Sequence, residues 1–145
     1  MLIAMGLDSY IRKIPKTKLF THSNCDIRDI PGYYNASNEV LYWRNHRALN
    51  NWMIELSTKR SGPNAESMMN GAPIFLSEQD LVSLKLEMMF NSSFQDYWVN
   101  YFHGLYALEE ANPVQTQLNK DISRVDHLIR VRRRNHSSVF YIASW

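Results

Sequence analysis

Five consecutive apolar, β-favouring residues near the end of the chain, Val139-Phe140-Tyr141-Ile142-Ala143, constrain the fold most. An extended segment sends successive side chains to opposite faces, so an apolar run without a polar break predicts a strand buried on both. Leu7 to Ile14 predicts a second strand, with Leu7, Ser9, Ile11 and Lys13 on one side, β-branched and aromatic residues among them, and Pro15 as its stop. Pro73-Ile74-Phe75-Leu76 predicts a third. It leads directly into a helix, because Ser77 and Asp80 have capping-box spacing ahead of Leu81, Leu84 and Met88.

The remaining helices follow from apolar spacing. Leu41, Ala48, Leu49, Trp52 and Leu56 recur at helical intervals, with Ser37 or Asn38 as the cap and Lys59-Arg60 before Ser61-Gly62-Pro63 as the end. Asp121 to Arg134 predicts another, with Ile122, Val125, Leu128 and Ile129 turned inward. Phe94 to Leu108 carries aromatic residues at spacings that fit a helix or an aromatic strand, and Asn112-Pro113 breaks it. Lys16 to Asn38 reads as a long ordered loop and Asn64 to Gly71 as a polar one. The expectation is one α+β domain of 145 residues, with about three short strands covered by three or four helices.

Composition removes several function classes. A net charge of +2 is too small to imply a nucleic acid or an anionic membrane as partner, and no stretch approaches the length of a membrane span. The single cysteine, Cys25, cannot form an internal bridge, which with the absence of a leader-like start points to the cytoplasm. His22, His46, His103, His127 and His136 show no metal-ligand spacing, and no nucleophile elbow, phosphate loop or dinucleotide fingerprint is present. No cofactor or metal is expected, and no catalytic residue is assigned.

Two segments could carry recognition. Tyr42-Trp43-Arg44-Asn45-His46-Arg47, with Trp52 beyond, concentrates groups that stack, hydrogen-bond and pair with anions. Read as a helix, it cannot bury all of these side chains on one stripe. Either Leu49 and Trp52 are core while Arg44 and Arg47 are solvated, or Trp43, Arg44 and His46 meet an anionic or aromatic group at the surface. The second segment is basic: six Lys/Arg against two Asp between Lys120 and His136, with Arg130, Arg132, Arg133 and Arg134 at its heart. It could draw phosphate, but cations in a last helical turn also oppose the helix dipole without any ligand.

Met5-Gly6-Leu7-Asp8-x-Tyr10, Tyr42-Trp43-Arg44-x-His46 with Leu49 and Trp52-Met53, Ser77-Glu78-Gln79-Asp80-Leu81, and Asp121-Ile122 through Val139 to Trp145 together resemble a family of small uncharacterised bacteriophage proteins. The resemblance spans nearly the whole chain, densely in those four patches. Some relatives carry the label phosphoglycerate kinase, which does not suit a chain too short for two lobes and without glycine-rich phosphate loops. Relatives often have a histidine where this chain has Asn50, one helical turn beyond His46, so a two-imidazole site is absent here. The resemblance leaves Asp8, Tyr42, Trp43, Arg44 and His46 as the shared polar and aromatic set, to which Asn50 adds a hydrogen-bonding group at the departing position, with the last strand as neighbour of the first.

What it implies is a non-enzymatic accessory protein of the infected bacterium's cytoplasm that binds and modulates a host protein or other macromolecule, through the Trp-Arg-His segment and aromatic residues from Tyr97 to Tyr106. The alternatives are a small-ligand protein that binds or sequesters a nucleotide or phosphorylated metabolite, a nucleic-acid binder and a virion component. A homodimer would bury surplus aromatic surface, since aromatics make up 12% of the chain.

Overall fold

The computed structural model describes residues 6–14, 37–61, 71–105, 112–135 and 138–145; the side chains of 61, 100–105, 112–116 and 135 lie outside that description. Four strands, β1 (Asp8–Ile14), β2 (Asn38–Arg44), β3 (Ile74–Leu76) and β4 (Ser138–Ser144), form one antiparallel sheet in the order β2-β1-β4-β3. Among the described residues four helices accompany it: α1 (Arg47–Ser61), α2 (Glu78–Phe90), α3 (Ser92–Leu105) and α4 (Asn112–Asn135). The α+β class is as expected, with one strand more than the sequence indicated. The loops expected at 16–36 and 64–70, and with them Cys25 and His22, fall outside the described residues.

β4 occupies an inner position of the sheet, flanked by β1 and β3, and five of its seven residues are buried. Its alternation feeds two cores. Val139, Tyr141 and Ala143 join Leu7, Ile11, Leu41 and Trp43 on the face covered by the helices, where Leu49, Met53, Leu81, Leu84, Trp98, Val125 and Leu128 pack against them. Phe140 and Ile142 point the other way and cluster with Ile14 and Tyr10. Burying a side chain of this size contributes about 1.5–3 kcal/mol, so the helix-facing cluster is the dominant source of cohesion.

Residues 38–44 correct the sequence reading: they are a strand, and the helix begins only at Arg47. Leu41 and Trp43 are buried while Tyr42 and Arg44 are exposed, a period of two that a helix cannot produce. The segment pairs with β1 in a register that sets Tyr42 against Tyr10 and Arg44 against Asp8, with a shift between Ile11 and Arg12. Ser37 and Asn38 therefore cap nothing; Ser37 instead accepts a bond from the Arg12 guanidinium at 2.7 Å. Asn45 makes the corner between strand and helix at φ 60°, a left-handed conformation that asparagine tolerates better than most residues. It exchanges bonds with Leu7 through its backbone N–H and its side-chain oxygen, which fixes the end of β2 to the start of β1.

The 94–108 ambiguity resolves as α3 up to Leu105, with 106–108 outside the described residues, and Pro113 opens α4 rather than breaking a helix, since a proline near a helix start has no N–H to lose. α4 is consequently longer than expected at 24 residues. Lys85 of α2 bonds Asp126 of α4 at 2.8 Å, and that ammonium holds the Asp126 carboxyl below its ordinary range. The capping box at Ser77 and Asp80 is present as read from the sequence, with Asp80 also paired to Arg60 at the end of α1. Ser77→Ala is expected to lower stability by about 1 kcal/mol in urea unfolding, and Ser77→Asp to restore most of it.

Candidate functional site

The strand-to-helix corner after Trp43 sorts the shared residues into two groups. Trp43 points inward and is 2% exposed; Arg44 points outward; Asn45 turns the chain; His46 then caps α1. The cap works through the imidazole, whose Nδ1 accepts the Leu49 N–H at 3.2 Å. The ring is enclosed by aromatics: Tyr97 stacks on it at 4.2 Å between centroids, and Phe94, Trp98 and Trp43 approach edge-on. At 1% exposure His46 is core, which overturns the expectation that it turns outward. Burial pulls its pKa down to about 3, so the ring is neutral at physiological pH. With Nδ1 accepting, the ring proton resides on Nε2, and that buried N–H finds no hydrogen-bond partner among the described residues.

Asn50, also buried, accepts the Tyr141 hydroxyl at 2.8 Å, and Ser9 bonds the same hydroxyl at 2.9 Å. Burial pushes the Tyr141 phenol up, so it stays protonated and donates. Trp43 is held from the far side. Its indole N–H and that of Trp98 both donate to Asp121 Oδ2, at 3.1 and 2.9 Å, while Gln117 donates to Oδ1. Burial raises the Asp121 carboxyl above its usual range, against the lowering effect of the two indoles, Gln117 and Arg124. Nothing in the sequence reading assigned Asp121 this position, although an aspartate directly before the apolar Ile122 was visible there.

The outward group is Asp8, Tyr42 and Arg44. Asp8 Oδ1 accepts Tyr42 Oη at 2.7 Å and Arg44 Nη1 at 3.3 Å, across the β1–β2 pair. The bond to the Asp8 carboxylate pushes the Tyr42 phenol up. Gly6 leaves the space that the Arg44 guanidinium fills: a Cβ there would lie 2.6 Å from Nη2.

Arg44, Asn45, His46 and Arg47 reach the same cleft, of about 400 Å³, whose other wall comes from Ser93, Asp96 and Tyr97 in the first turns of α3. Arg44 and His46 thus converge on one concavity, Arg44 from the exposed side and His46 from the buried one. The cleft lies at the positive end of α1, and the Arg44 backbone N–H donates to Tyr97 Oη at 3.3 Å across it. Trp43 and Asn50 do not line it, and neither do Asp8 and Tyr42. Arg47, Asp96 and Ser93 were not among the residues picked from the sequence; Arg47 was visible as the last cation of the aromatic-basic run, while Asp96 and Ser93 carried no signal.

The basic segment does not form a free patch. Arg133 pairs with Glu78, Arg130 with Asp126 at 3.6 Å, and Arg132 lies over the Phe75 ring at 4.7 Å; Arg134 is exposed. Three of the four cations are thereby engaged within the fold. Among the described residues no group of three His, Cys, Asp or Glu side chains could hold a metal, and no helix is long and apolar enough to cross a membrane. Comparison with protein-family models, with curated proteins and with solved structures finds no match for the chain.

Proposed function

We propose that this protein is a binding protein and that the cleft between α1 and α3 takes the phosphate of a phosphorylated metabolite. The observation that carries this reading is the convergence of Arg44 and Arg47 on one cleft at the positive end of α1, which His46, whose buried imidazole N–H has no partner among the described residues, also lines. Guanidinium groups offer paired donors that match phosphate geometry, and a helix start adds favourable dipole and amide groups. A cleft of about 400 Å³ is within the range that encloses a small metabolite. Binding rather than turnover is favoured by His46: its one basic nitrogen is committed to the Leu49 amide, so the imidazole has no free lone pair with which to act as a base.

Titration calorimetry with inorganic phosphate and monoalkyl phosphates tests this directly. Saturable binding is expected, weakened about tenfold by Arg47→Ala, the loss typical of one charge-assisted hydrogen bond. Absence of saturable binding to any of these probes would reject the reading.

A host protein as partner, in the setting that the phage resemblance implies, has its own observation. Leu86, Met89 and Phe90 are exposed on one face of α2, Phe90 to 75%, and positions three and four apart on a helix form one stripe. Trp43, His46 and Trp98, by contrast, are buried and unavailable for such contact. Recognition of a macromolecule therefore falls to α2, and Phe90→Ser should abolish capture of a bacterial partner while leaving phosphate binding intact.

A further inference from the structure

The cleft carries opposite charges. Arg47 stands at the start of α1 and Asp96 in α3; both are exposed, both line the cleft, and among the described residues neither joins an ion pair. Arg44 differs, since Asp8 already neutralises part of its charge. Two unlike charges on long or rotatable side chains at one concavity usually close into a pair when they can reach each other. Here they belong to separate helices, α1 and α3, and line one cleft without an ion pair between them.

Such a gap discriminates among anions. A simple phosphate placed against Arg44 and Arg47 also meets the Asp96 carboxylate, and like charges repel. A ligand with an ammonium a few bonds from its phosphate meets complementary charge at both ends. His46 adds a second mark of a ligand site: its buried Nε2–H lacks a partner among the described residues, and the residue lines the same cleft. Ser93 and Asn45 contribute neutral polar groups between the charged walls.

We infer that the natural ligand is a small zwitterion, a phosphorylated amine or phosphorylated amino acid, with its phosphate at Arg47 and Arg44 and its ammonium at Asp96. This rests on the reading of the cleft as a phosphate site. Two probes that differ by the ammonium separate the claims: phosphoethanolamine, which carries it, and monoethyl phosphate, which lacks it.

Calorimetry at neutral pH should show phosphoethanolamine binding about fivefold more tightly than monoethyl phosphate, the gain of one solvent-accessible ion pair. Asp96→Asn should erase that preference by weakening phosphoethanolamine and leaving monoethyl phosphate as tight or tighter, because the repulsion goes with the charge. Arg47→Ala should weaken both probes alike. Equal affinities in the unaltered protein, or a preference that persists in Asp96→Asn, would overturn the zwitterion assignment while the phosphate site stood. Failure of both probes to bind would overturn the phosphate site and the assignment together. Circular dichroism should show the Asp96→Asn protein folded, because that side chain is exposed and makes no ion pair among the described residues.

Discussion

Asp121→Ala is expected to lower unfolding free energy by about 3–5 kcal/mol, a large fraction of what a domain of this size possesses. One carboxylate oxygen accepts both the Trp43 and the Trp98 indole N–H groups, and these belong to β2 and α3 while Asp121 belongs to α4. Removing it strands two buried donors, each costing about 1–3 kcal/mol because neither can reach water. A smaller opposing effect comes from the carboxylate itself, which is destabilised by burial, as its raised pKa shows. Asp121→Asn separates the two contributions. An amide oxygen keeps the shared acceptor and removes the buried charge, and Gln117 can present its oxygen to the new amide N–H by rotating its side-chain amide. The asparagine variant should therefore lie within about 1.5 kcal/mol of the unaltered protein in urea unfolding followed by tryptophan fluorescence. An alanine variant that is equally close would mean that the two indoles find other partners and that the three-element junction is not held by this oxygen.

Much of the fold was legible because its signals were local. The apolar run of β4 needs cover on both faces wherever it lies, Pro15 stops β1, and the Ser77/Asp80 pair closes within three residues. β2 was not legible, and the reason is physical. Leu41 and Trp43 give only two inward positions, too few for a period of two, whereas Leu41 also falls in phase with Ala48, Leu49 and Trp52 of the true helix. What makes 38–44 a strand is non-local: β1 offers it a row of backbone partners in register from Asp8 to Lys13. The corner at Asn45 was the one local clue, an asparagine suited to a left-handed turn. The candidate site was legible in composition but not in geometry. Tyr42, Trp43, Arg44 and His46 do surround one corner of the fold, yet strand alternation and the turn at Asn45 send Trp43 and His46 inward and Arg44 outward. Asp96 and Ser93 come from a helix some fifty residues away, a pairing that only the tertiary fold supplies.

Acid should weaken this protein through His46. In the unfolded chain the imidazole takes up a proton near pH 6.5, whereas in the folded chain burial delays that uptake until about pH 3. Between those values the unfolded state binds the extra proton, so stability is complete above pH 6.5 and falls as pH falls, by about 1.4 kcal/mol per unit. The loss amounts to about 2 kcal/mol at pH 5 and, were nothing else to titrate, about 4 kcal/mol at pH 3. Asp121 acts in the opposite sense: a carboxyl whose folded pKa is raised gains stability as pH falls through that value. The two are separated by His46→Asn, which retains a side-chain acceptor for the Leu49 amide, carries no titrating group and leaves Asp121 unchanged. That variant loses the stacking of Tyr97 and the edge contacts of Phe94 and Trp98, so it should be less stable at pH 7. Its dependence on pH between 6.5 and 5 should nonetheless be nearly flat, and the two stability curves should converge as acid is added. Parallel curves for the two proteins over that interval would show that the imidazole protonates as readily folded as unfolded, which its burial among Tyr97, Phe94, Trp98 and Trp43 does not permit.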